Sequence, residues 1–203
     1  HAVALVGDEL VELDLGAAAD VADPLSGLGG SAYLATVHGC KTGLPPRCDL
    51  AREKSLHDAL RGWIQSGVVK SAHDCSEGGL SVTLAECCIS QQTGRETPRL
   101  IGAAIDLAPP ADGTPGLTGI PARLDALLFG ESQARIIISV PAHQVGRILG
   151  QAKILEIPAT KIGQVGGSEF KIKTARGEFS WGLSELHDVW WNSIARRMEG
   201  KEP

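Results

Sequence analysis

Two short stretches of the sequence combine carboxylates, hydroxyls and glycines in a way that could support chemistry. The first is residues 73–79 (HDCSEGG), which follow the apolar run 67–69 and precede an apolar stretch about ten residues long. A strand that enters a glycine-containing turn at a helix start brings free backbone N–H groups and the positive end of the helix dipole together. The pattern predicts an anion or phosphate site at Ser76, Gly78 and Gly79, with Ser76 as the helix cap.

A simpler interpretation of this turn is structural. Asp74 and Ser76 could do no more than cap the helix, while the glycine pair permits close packing of the backbone. The turn matches neither GxGxxG nor GxxxxGK[ST], so neither standard nucleotide motif accounts for it. Cys75 is the one candidate reactive cysteine, because a helix N-terminus lowers the pKa of a thiol. Spacing alone leaves both interpretations open.

The second stretch is residues 129–135 (FGESQAR), which place a carboxylate, a hydroxyl, an amide and a guanidinium together. They lie between a predicted short helix and the strongest strand pattern of the chain, residues 134–140. Loops at strand ends are where α/β sheets gather ligands. In the alternative interpretation, Glu131 and Arg135 form a solvated ion pair and Ser132 only forms a turn.

The elements that must position these residues follow from hydrophobic periodicity and from capping and breaking signals. Strands are predicted over residues 2–6, 9–15, 67–69, 100–107, 134–140, 159–165 and 169–173. Helices are predicted over residues 31–38, 50–66, 80–89, 122–129, 141–150 and 180–198. In the second helix Asp49 is the predicted cap, and Leu56, Leu60, Trp63 and Ile64 are the predicted inward face. Loops are predicted at 17–27 and 109–121.

This alternation predicts an α/β (α+β) fold, a mixed sheet with packed helices, in which the two late strands allow antiparallel pairing. The net charge of -5 and the lack of a Lys/Arg cluster argue against nucleic-acid binding. No apolar run approaches membrane-spanning length and no signal peptide is evident, which predicts a cytoplasmic protein without membrane contact. The five cysteines lack metal-binding spacing and are predicted to be reduced core residues.

Together with residues 28–34 (LGGSAYL), the two stretches resemble the last domain of phosphoribosylformylglycinamidine synthase. Residues 73–80 (HDCSEGGL) are similar to the helix-start motif of that family, and residues 128–135 (LFGESQAR) to its strand-entry motif. Residues 70–73 (KSAH) are also typical. The resemblance runs from about Val3 to the C-terminus. Only residues 11–27 look inserted.

The resemblance implies the fold of the C-terminal domain of aminoimidazole ribonucleotide synthetase. Residues 1–203 would form one such domain, with a C-terminal helix over 180–198, as a fragment of a longer enzyme. That enzyme is an ATP-dependent ligase of purine biosynthesis. It uses ATP, Mg²⁺ and ammonia to convert formylglycinamide ribonucleotide to formylglycinamidine ribonucleotide.

The resemblance also implies roles for individual residues. Asp74 matches a Mg²⁺-ligand position. A second group matches substrate, nucleotide or phosphate contacts, namely Ser76, Gly78, Gly79, Glu131, Ser132 and Gln133. No catalytic residue is expected in this chain, since the ATP-binding halves and the catalytic histidine segment are absent from it. His73 is not expected to be that base.

The implied partners are the remaining domains of the same enzyme, a glutaminase that supplies ammonia, and a second copy in a homodimer. An alternative function is a non-catalytic structural module that anchors an auxiliary ADP or phosphate. A kinase or a selenophosphate-synthetase type of enzyme is the third hypothesis. Such an enzyme would carry its own ATP-binding half, which is not encoded here.

Overall fold

The computed structural model describes residues 7–14, 27–94, 97–108 and 123–200. Its strands in chain order are β1 (Glu9–Asp14), β2 (Ser71–Asp74), β3 (Gln91–Gly94), β4 (Thr97–Arg99), β5 (Ala103–Asp106), β6 (Arg135–Val140), β7 (Ala159–Val165), β8 (Glu169–Thr174) and β9 (Gly177–Gly182). Its α-helices are α1 (Ala32–Val37), α2 (Leu50–Gln65), α3 (Gly79–Ile89), α4 (Leu124–Phe129), α5 (Val145–Ile154), α6 (Leu183–Trp191) and α7 (Ser193–Met198).

Seven of the described strands form one sheet in the order β2-β6-β1-β7-β5-β8-β9, while β3 and β4 form a separate ribbon. In the described sheet β5 and β8 pair in parallel, and the other neighbours pair antiparallel. The predicted mixed sheet with packed helices is confirmed.

The antiparallel pairing that the two late strands allow does not form, because β5 lies between β7 and β8. The backbone entering β5 is held there by two hydrogen bonds. Gly166 N donates to Gly102 O at 2.7 Å, and Gly102 N donates to Gly167 O at 3.1 Å. A Cβ on Gly102 would lie 2.6 Å from Gly166 O, so glycine allows this approach.

Helices pack against the sheet in two separate core clusters. In one, α3, α4 and α6 contribute side chains such as Leu84, which share the cluster with Ile137. In the other, α2 and α5 contribute Leu56 and Ile148, which share it with Ile138. All six residues of β1 and all six of β6 are buried, because these central strands are covered on both faces. The removal of this apolar surface from water is the main stabilising contribution to the domain.

The helix predicted after Asp49 is confirmed as α2. The Asp49 carboxylate accepts from two backbone N–H groups of the first turn, and Gly67 follows the helix with a φ of +73°. The buried face is narrower than predicted. Leu56 and Trp63 are buried, whereas Ile64 is 47% exposed.

Two predicted elements are shifted along the chain. The strand expected at residues 67–69 forms later, at Ser71–Asp74, so His73 and Asp74 belong to the strand and not to the turn. The helix expected over 180–198 begins only at Leu183, because the preceding residues pair with β8 as strand β9. It is also interrupted at Asn192, whose side-chain amide donates to Asp188 at 2.7 Å.

Other boundaries differ by smaller amounts. Pro141 precedes a short 3₁₀ helix, Ala142–Gln144, which leads into α5. The strand expected over 100–107 is confined to β5. The predicted strand at 2–6, the predicted loop at 109–121 and most of the predicted loop at 17–27 lie outside the described residues.

Candidate functional site

A cavity of about 860 Å³ whose lining includes charged and polar side chains lies beside the end of β2 and the start of β6. These two strands pair antiparallel, with Asp74 opposite Ile136, which brings the two motifs recognised in the sequence to one place. Asp74, Ser76 and the predicted run 131–133 all line the cavity. Gly78 and Gly79 are not among the described residues that line the cavity. They lie at the start of α3, in the turn that follows the lining residues Asp74 and Ser76.

The turn between β2 and α3 depends on its two glycines. Gly78 is the N-cap of α3 with a φ of +83°, and Gly79 follows with a φ of +64°. A Cβ on Gly79 would lie 2.7 Å from Gly130 O and from the carbonyl carbon of Phe129. The start of α3 therefore packs directly on the end of α4, as the structural interpretation of the glycine pair expected.

The prediction that Ser76 caps α3 is wrong. The cap position belongs to Gly78, which has no side chain, and Ser76 Oγ instead donates to the Asp74 carboxylate. Ser76 still closes the turn through its backbone, since Gly79 N donates to Ser76 O at 3.0 Å. The Ser76 hydroxyl therefore binds the Asp74 carboxylate beside the cavity and does not bind the helix N-terminus.

Asp74 is the predicted Mg²⁺ ligand, and its carboxylate is accessible, with 71% of the side chain exposed. The hydrogen bond from Ser76 lowers the pKa of Asp74 below its ordinary value, although partial burial opposes this shift. Within the described residues no group of three or more His, Cys, Asp and Glu side chains could hold a metal ion. Asp74 fits the role of a single carboxylate ligand to a Mg²⁺ ion that is also held by ligand phosphates, which is how Mg²⁺ is usually bound.

The carboxylate of Glu131 joins two glycine turns, one at Gly29 and Gly30 before α1 and the other at Gly78 and Gly79 before α3. Its Oε1 accepts from Ala32 N at 2.9 Å and from Gly78 N at 2.8 Å. Ala32 is the first residue of α1 and Gly78 caps α3, so the positive ends of two helices face one oxygen. A protein carboxylate therefore already occupies the Gly78 amide at which the sequence predicts an external anion. The predicted contact of Glu131 with a substrate stays a prediction.

Ser132 and Gln133 also line the cavity, in the loop that leads from α4 to β6. Ser132 packs closely against the backbone at Gly27, where an added Cβ would lie 2.6 Å from Ser132 Oγ. The loop is tied to the same segment by Glu131 N, which donates to Gly27 O at 3.1 Å. Gln133 is exposed, so its amide is open to a ligand.

Arg135 has a different role from the solvated ion pair considered for it. The side chain is only 5% exposed, and its Nε donates to Glu12 Oε1 at 2.6 Å. Asp14 lies 3.9 Å from the same nitrogen. Burial opposes the charge of Arg135, but the two carboxylates outweigh it and raise the pKa of the guanidinium. Burial in turn raises the pKa of Glu12, an effect that Arg135 partly offsets.

The sequence matches the family described as "AIR synthase related protein, C-terminal domain" over residues 6–174. The chain belongs to this family. It is 37% identical over 169 residues to the phosphoribosylformylglycinamidine synthase subunit PurL of Anaeromyxobacter sp. (strain Fw109-5), and 38% identical over 172 residues to that of Thermomicrobium roseum. These matches cover 82% and 84% of this chain. They cover 20% and 21% of the relatives, so the chain spans about a fifth of their length.

Solved structures show the same fold. The chain resembles Thermotoga maritima PurL complexed with FGAR with a TM-score of 0.61 at 18% identity, covering 91% of this chain and 28% of that one. The same protein complexed with ATP gives a TM-score of 0.57 at 18% identity, covering 91% and 26%. The resemblance inferred from the two motifs is thus confirmed for the AIR synthase related C-terminal domain. Among the described helices none is long and apolar enough to cross a membrane.

This AIR synthase related domain also brings a helix surface to the cavity that the motifs did not reveal. Lys54, His57 and Arg61 of α2 line it. The lysine and the arginine are paired with Asp58: Lys54 Nζ lies 2.5 Å from its carboxylate, and Arg61 forms a second ion pair with it. The only available signal was the i, i+3 and i, i+4 charge spacing on α2, which does not indicate where the helix packs. The cavity therefore carries both positive and negative groups.

His73 does not line the cavity in the described part of the chain. Its Nδ1 lies 2.8 Å from Asp74 O, and its Nε2 lies 3.5 Å from the Glu86 carboxylate of α3. The side chain is 13% exposed. These contacts place His73 between β2 and α3, and its structural role stays a prediction.

Cys75 is buried, and burial raises the pKa of its thiol to about 12. The expectation of a lowered pKa at a helix start is wrong here, because desolvation of the Cys75 thiol outweighs the attraction of Arg135. The prediction that the cysteines are core residues holds for Cys75, Cys87 and Cys88, but Cys48 is exposed.

We expect iodoacetamide at neutral pH to label Cys48 quickly and to leave Cys75 unmodified in the folded protein, because Cys75 lacks both access and thiolate. Peptide mass spectrometry over time measures the two rates. Labelling in urea is the control, since both thiols should then react alike. Rapid labelling of Cys75 without urea would contradict its burial.

Proposed function

We propose that this chain is the C-terminal domain of an ATP-dependent ligase that converts formylglycinamide ribonucleotide to formylglycinamidine ribonucleotide. The observation that carries this proposal is the 37% identity with a phosphoribosylformylglycinamidine synthase subunit over 82% of the chain. In purine biosynthesis this reaction activates an amide oxygen with ATP and replaces it with ammonia. The proposal places the activity in the cytoplasm.

The cavity geometry supports a phosphorylated ligand bound with Mg²⁺. Asp74 offers an accessible carboxylate of lowered pKa, which favours the ionised form that a divalent cation needs. Lys54 and Arg61 bring positive charge to the same cavity. When bound, Mg²⁺ would neutralise phosphate charge and orient the phosphates. In this proposal Asp74 is the metal ligand.

The remaining predicted contacts have narrower roles in this proposal. Ser76 holds the Asp74 carboxylate in place and keeps it ionised. Ser132 and Gln133 present polar groups from the loop before β6. Gly78 and Gly79 shape the turn behind the wall and supply an amide to Glu131. In this proposal turnover requires the other domains of the enzyme.

The proposed partners are those other domains, together with a glutaminase that supplies ammonia. One solved structure with the same fold is described as PurLQS from Thermotoga maritima. A homodimer is a further proposal, which sedimentation of the purified chain would test. We propose no nucleic-acid partner, since the net charge is -5.

Calorimetric titration with Mg²⁺ and ADP tests the cavity. We expect saturable binding to the wild-type chain, a loss of binding in Asp74→Ala, and weaker binding in Ser76→Ala, because the serine hydroxyl keeps the carboxylate ionised and oriented. Asp106→Ala is the matched control: Asp106 is also an exposed carboxylate at a strand end, but it pairs with Lys173 at 2.8 Å, away from the cavity.

An activity assay separates the domain from the enzyme. Given formylglycinamide ribonucleotide, ATP, Mg²⁺ and ammonia, the isolated chain should form no product. Turnover by the chain alone would overturn the proposal that it is one domain of a larger ligase. Undiminished binding in Asp74→Ala would remove Asp74 as the metal ligand.

A further inference from the structure

We infer that Arg135 is the positioning residue of the cavity: anchored by Glu12, it holds the end of α4 so that Glu131 stays bonded to both glycine turns. The inference deepens the proposed function and rests on it for the nature of the ligand. Arg135 acts through Glu131 and the loop between them.

The anchor is an ion pair inside the sheet. Glu12 is 1% exposed and Arg135 is 5% exposed, and they sit on the neighbouring central strands β1 and β6. The hydrogen bond from Arg135 Nε to Glu12 Oε1 is 2.6 Å long, slightly shorter than the about 2.7–2.9 Å that is usual for a charged N–H donor and a carboxylate. Because both strands are buried along their whole length, this end of the guanidinium has little freedom to move.

The other end of the guanidinium reaches α4. Arg135 Nη1 donates to Leu127 O at 3.0 Å, which is one of the carbonyls of the last helical turn. Such carbonyls lack partners within a helix, and a cation at this end is favoured by the helix dipole. Arg135 therefore fixes the position at which α4 ends, one residue before Gly130.

The end of α4 determines where Glu131 lies. Glu131 is the second residue after the helix, and its Oε1 spans Ala32 N and Gly78 N. The start of α3 packs on the same place, since Gly79 has no room for a Cβ against Gly130 and Phe129. A displaced α4 would move the Glu131 carboxylate away from at least one of the two amides.

The loop between Glu131 and Arg135 has little slack to absorb such a displacement. Ala134, the last residue before Arg135, has a φ of +55°. Non-glycine residues adopt this conformation at an energetic cost and keep it only when the surroundings impose it. A short loop that is strained and anchored at both ends transmits the position of Arg135 to Glu131.

Arg135→Lys separates positioning from charge. Lysine keeps the positive charge next to Glu12, but one ammonium group cannot reproduce the fork that reaches Glu12 and Leu127 together. The measurement is NMR hydrogen exchange of the Ala32 and Gly78 amides, the two donors to Glu131, and it requires no ligand. We expect both amides to exchange about tenfold faster in the variant, while the amides of Val11 and Ile138 in the central sheet keep their rates.

Arg123→Lys is the matched control. Arg123 pairs with Asp125 at the opposite end of α4, through Nε at 3.0 Å and Nη2 at 2.5 Å, and it is 57% exposed. This variant should leave the exchange of Ala32 and Gly78 unchanged. An equal rise at all four amides in Arg135→Lys would show a general loss of stability and would overturn the inference, as would unchanged rates.

Titration of the same variant with Mg²⁺ and ADP keeps the two proposals distinct. If the wild-type chain binds Mg²⁺ and ADP, the Arg135→Lys variant should bind them more weakly. The Arg123→Lys control should bind them with the same enthalpy as the wild type. If the wild-type chain binds no nucleotide, the proposed ligand fails, while selective exchange at Ala32 and Gly78 still supports Arg135 as the positioning residue.

Discussion

Arg135→Met is expected to lower the free energy of unfolding by about 3–5 kcal/mol, because it leaves the Glu12 carboxylate buried without its cation. Methionine fills similar space, so the loss reflects the uncompensated charge and not a cavity. Urea unfolding at neutral pH, followed by the fluorescence of the four tryptophans, measures the change.

The loss in the free energy of unfolding caused by Arg135→Met should depend on pH. Burial raises the pKa of Glu12, and the loss of Arg135 removes what offsets that rise. A carboxyl whose folded pKa exceeds its unfolded value binds its proton more tightly in the folded state, so stability falls as pH rises through that interval. The difference from wild type should therefore shrink as the pH is lowered towards the ordinary carboxyl pKa of 4.5.

Lys173→Met serves as the control for Arg135→Met. Lys173 pairs with Asp106 on the surface of the sheet, where both side chains are 55% exposed. Solvent screens such pairs, and we expect no measurable shift of the urea midpoint. A deficit for Arg135→Met no larger than that of Lys173→Met, or one independent of pH, would contradict the assignment of a buried ion pair.

Gly79→Ala is expected to destabilise the protein by about 2 kcal/mol or more, from two causes that act together. The residue has a φ of +64°, and an added Cβ would lie 2.7 Å from Gly130 O. Neither the backbone strain nor the close contact can relax easily, since both would require the backbone to move. Chemical denaturation gives the stability, and titration with Mg²⁺ and ADP should show weaker binding, because the start of α3 supplies the Gly78 amide that holds the Glu131 carboxylate beside the cavity.

Gly150→Ala is the matched substitution. Gly150 is exposed in the middle of α5 with open space around it, so alanine there should stabilise the protein by about 0.5–1 kcal/mol. Opposite signs for the two alanine substitutions are expected. A Gly79→Ala protein as stable as wild type would show that α3 and α4 can separate without cost.

Local signals in the sequence predicted the elements that depend on neighbours in the chain. The Asp49 cap and the β-branched run of β6 are examples, and both were confirmed. Strand β9 was missed because Leu183 and Leu186 have helical spacing, and the helix predicted from them was started too early, at Ser180. Its pairing with β8, and the stacking of Trp181 on Phe170 at 5.5 Å, are tertiary effects that no local pattern encodes.

The candidate site shows the same division. The sequence identified the two motifs that contain Asp74, Ser76 and Glu131, but it did not predict that strands β2 and β6 are adjacent, which is what brings these residues to one cavity. It did not predict the partner of Arg135: the nearest carboxylate along the chain is Glu131, whereas the actual partner, Glu12, is 123 residues away. It also misjudged Cys75, because a dipole argument ignores how deeply the thiol is buried.

The central position of β1 has a consequence for how the chain acquires its structure. Residues 9–14 leave the ribosome before every other described strand of the sheet, yet both neighbours of β1, the strands β6 and β7, come from residues 135–140 and 159–165. Closing loops of this length before any contact is gained makes folding slow. Until residues 135–140 have been synthesised β1 has neither of its neighbouring strands, and until residue 165 it has only one of them. We expect nascent chains shorter than this to need a chaperone, and refolding to be limited by this closure.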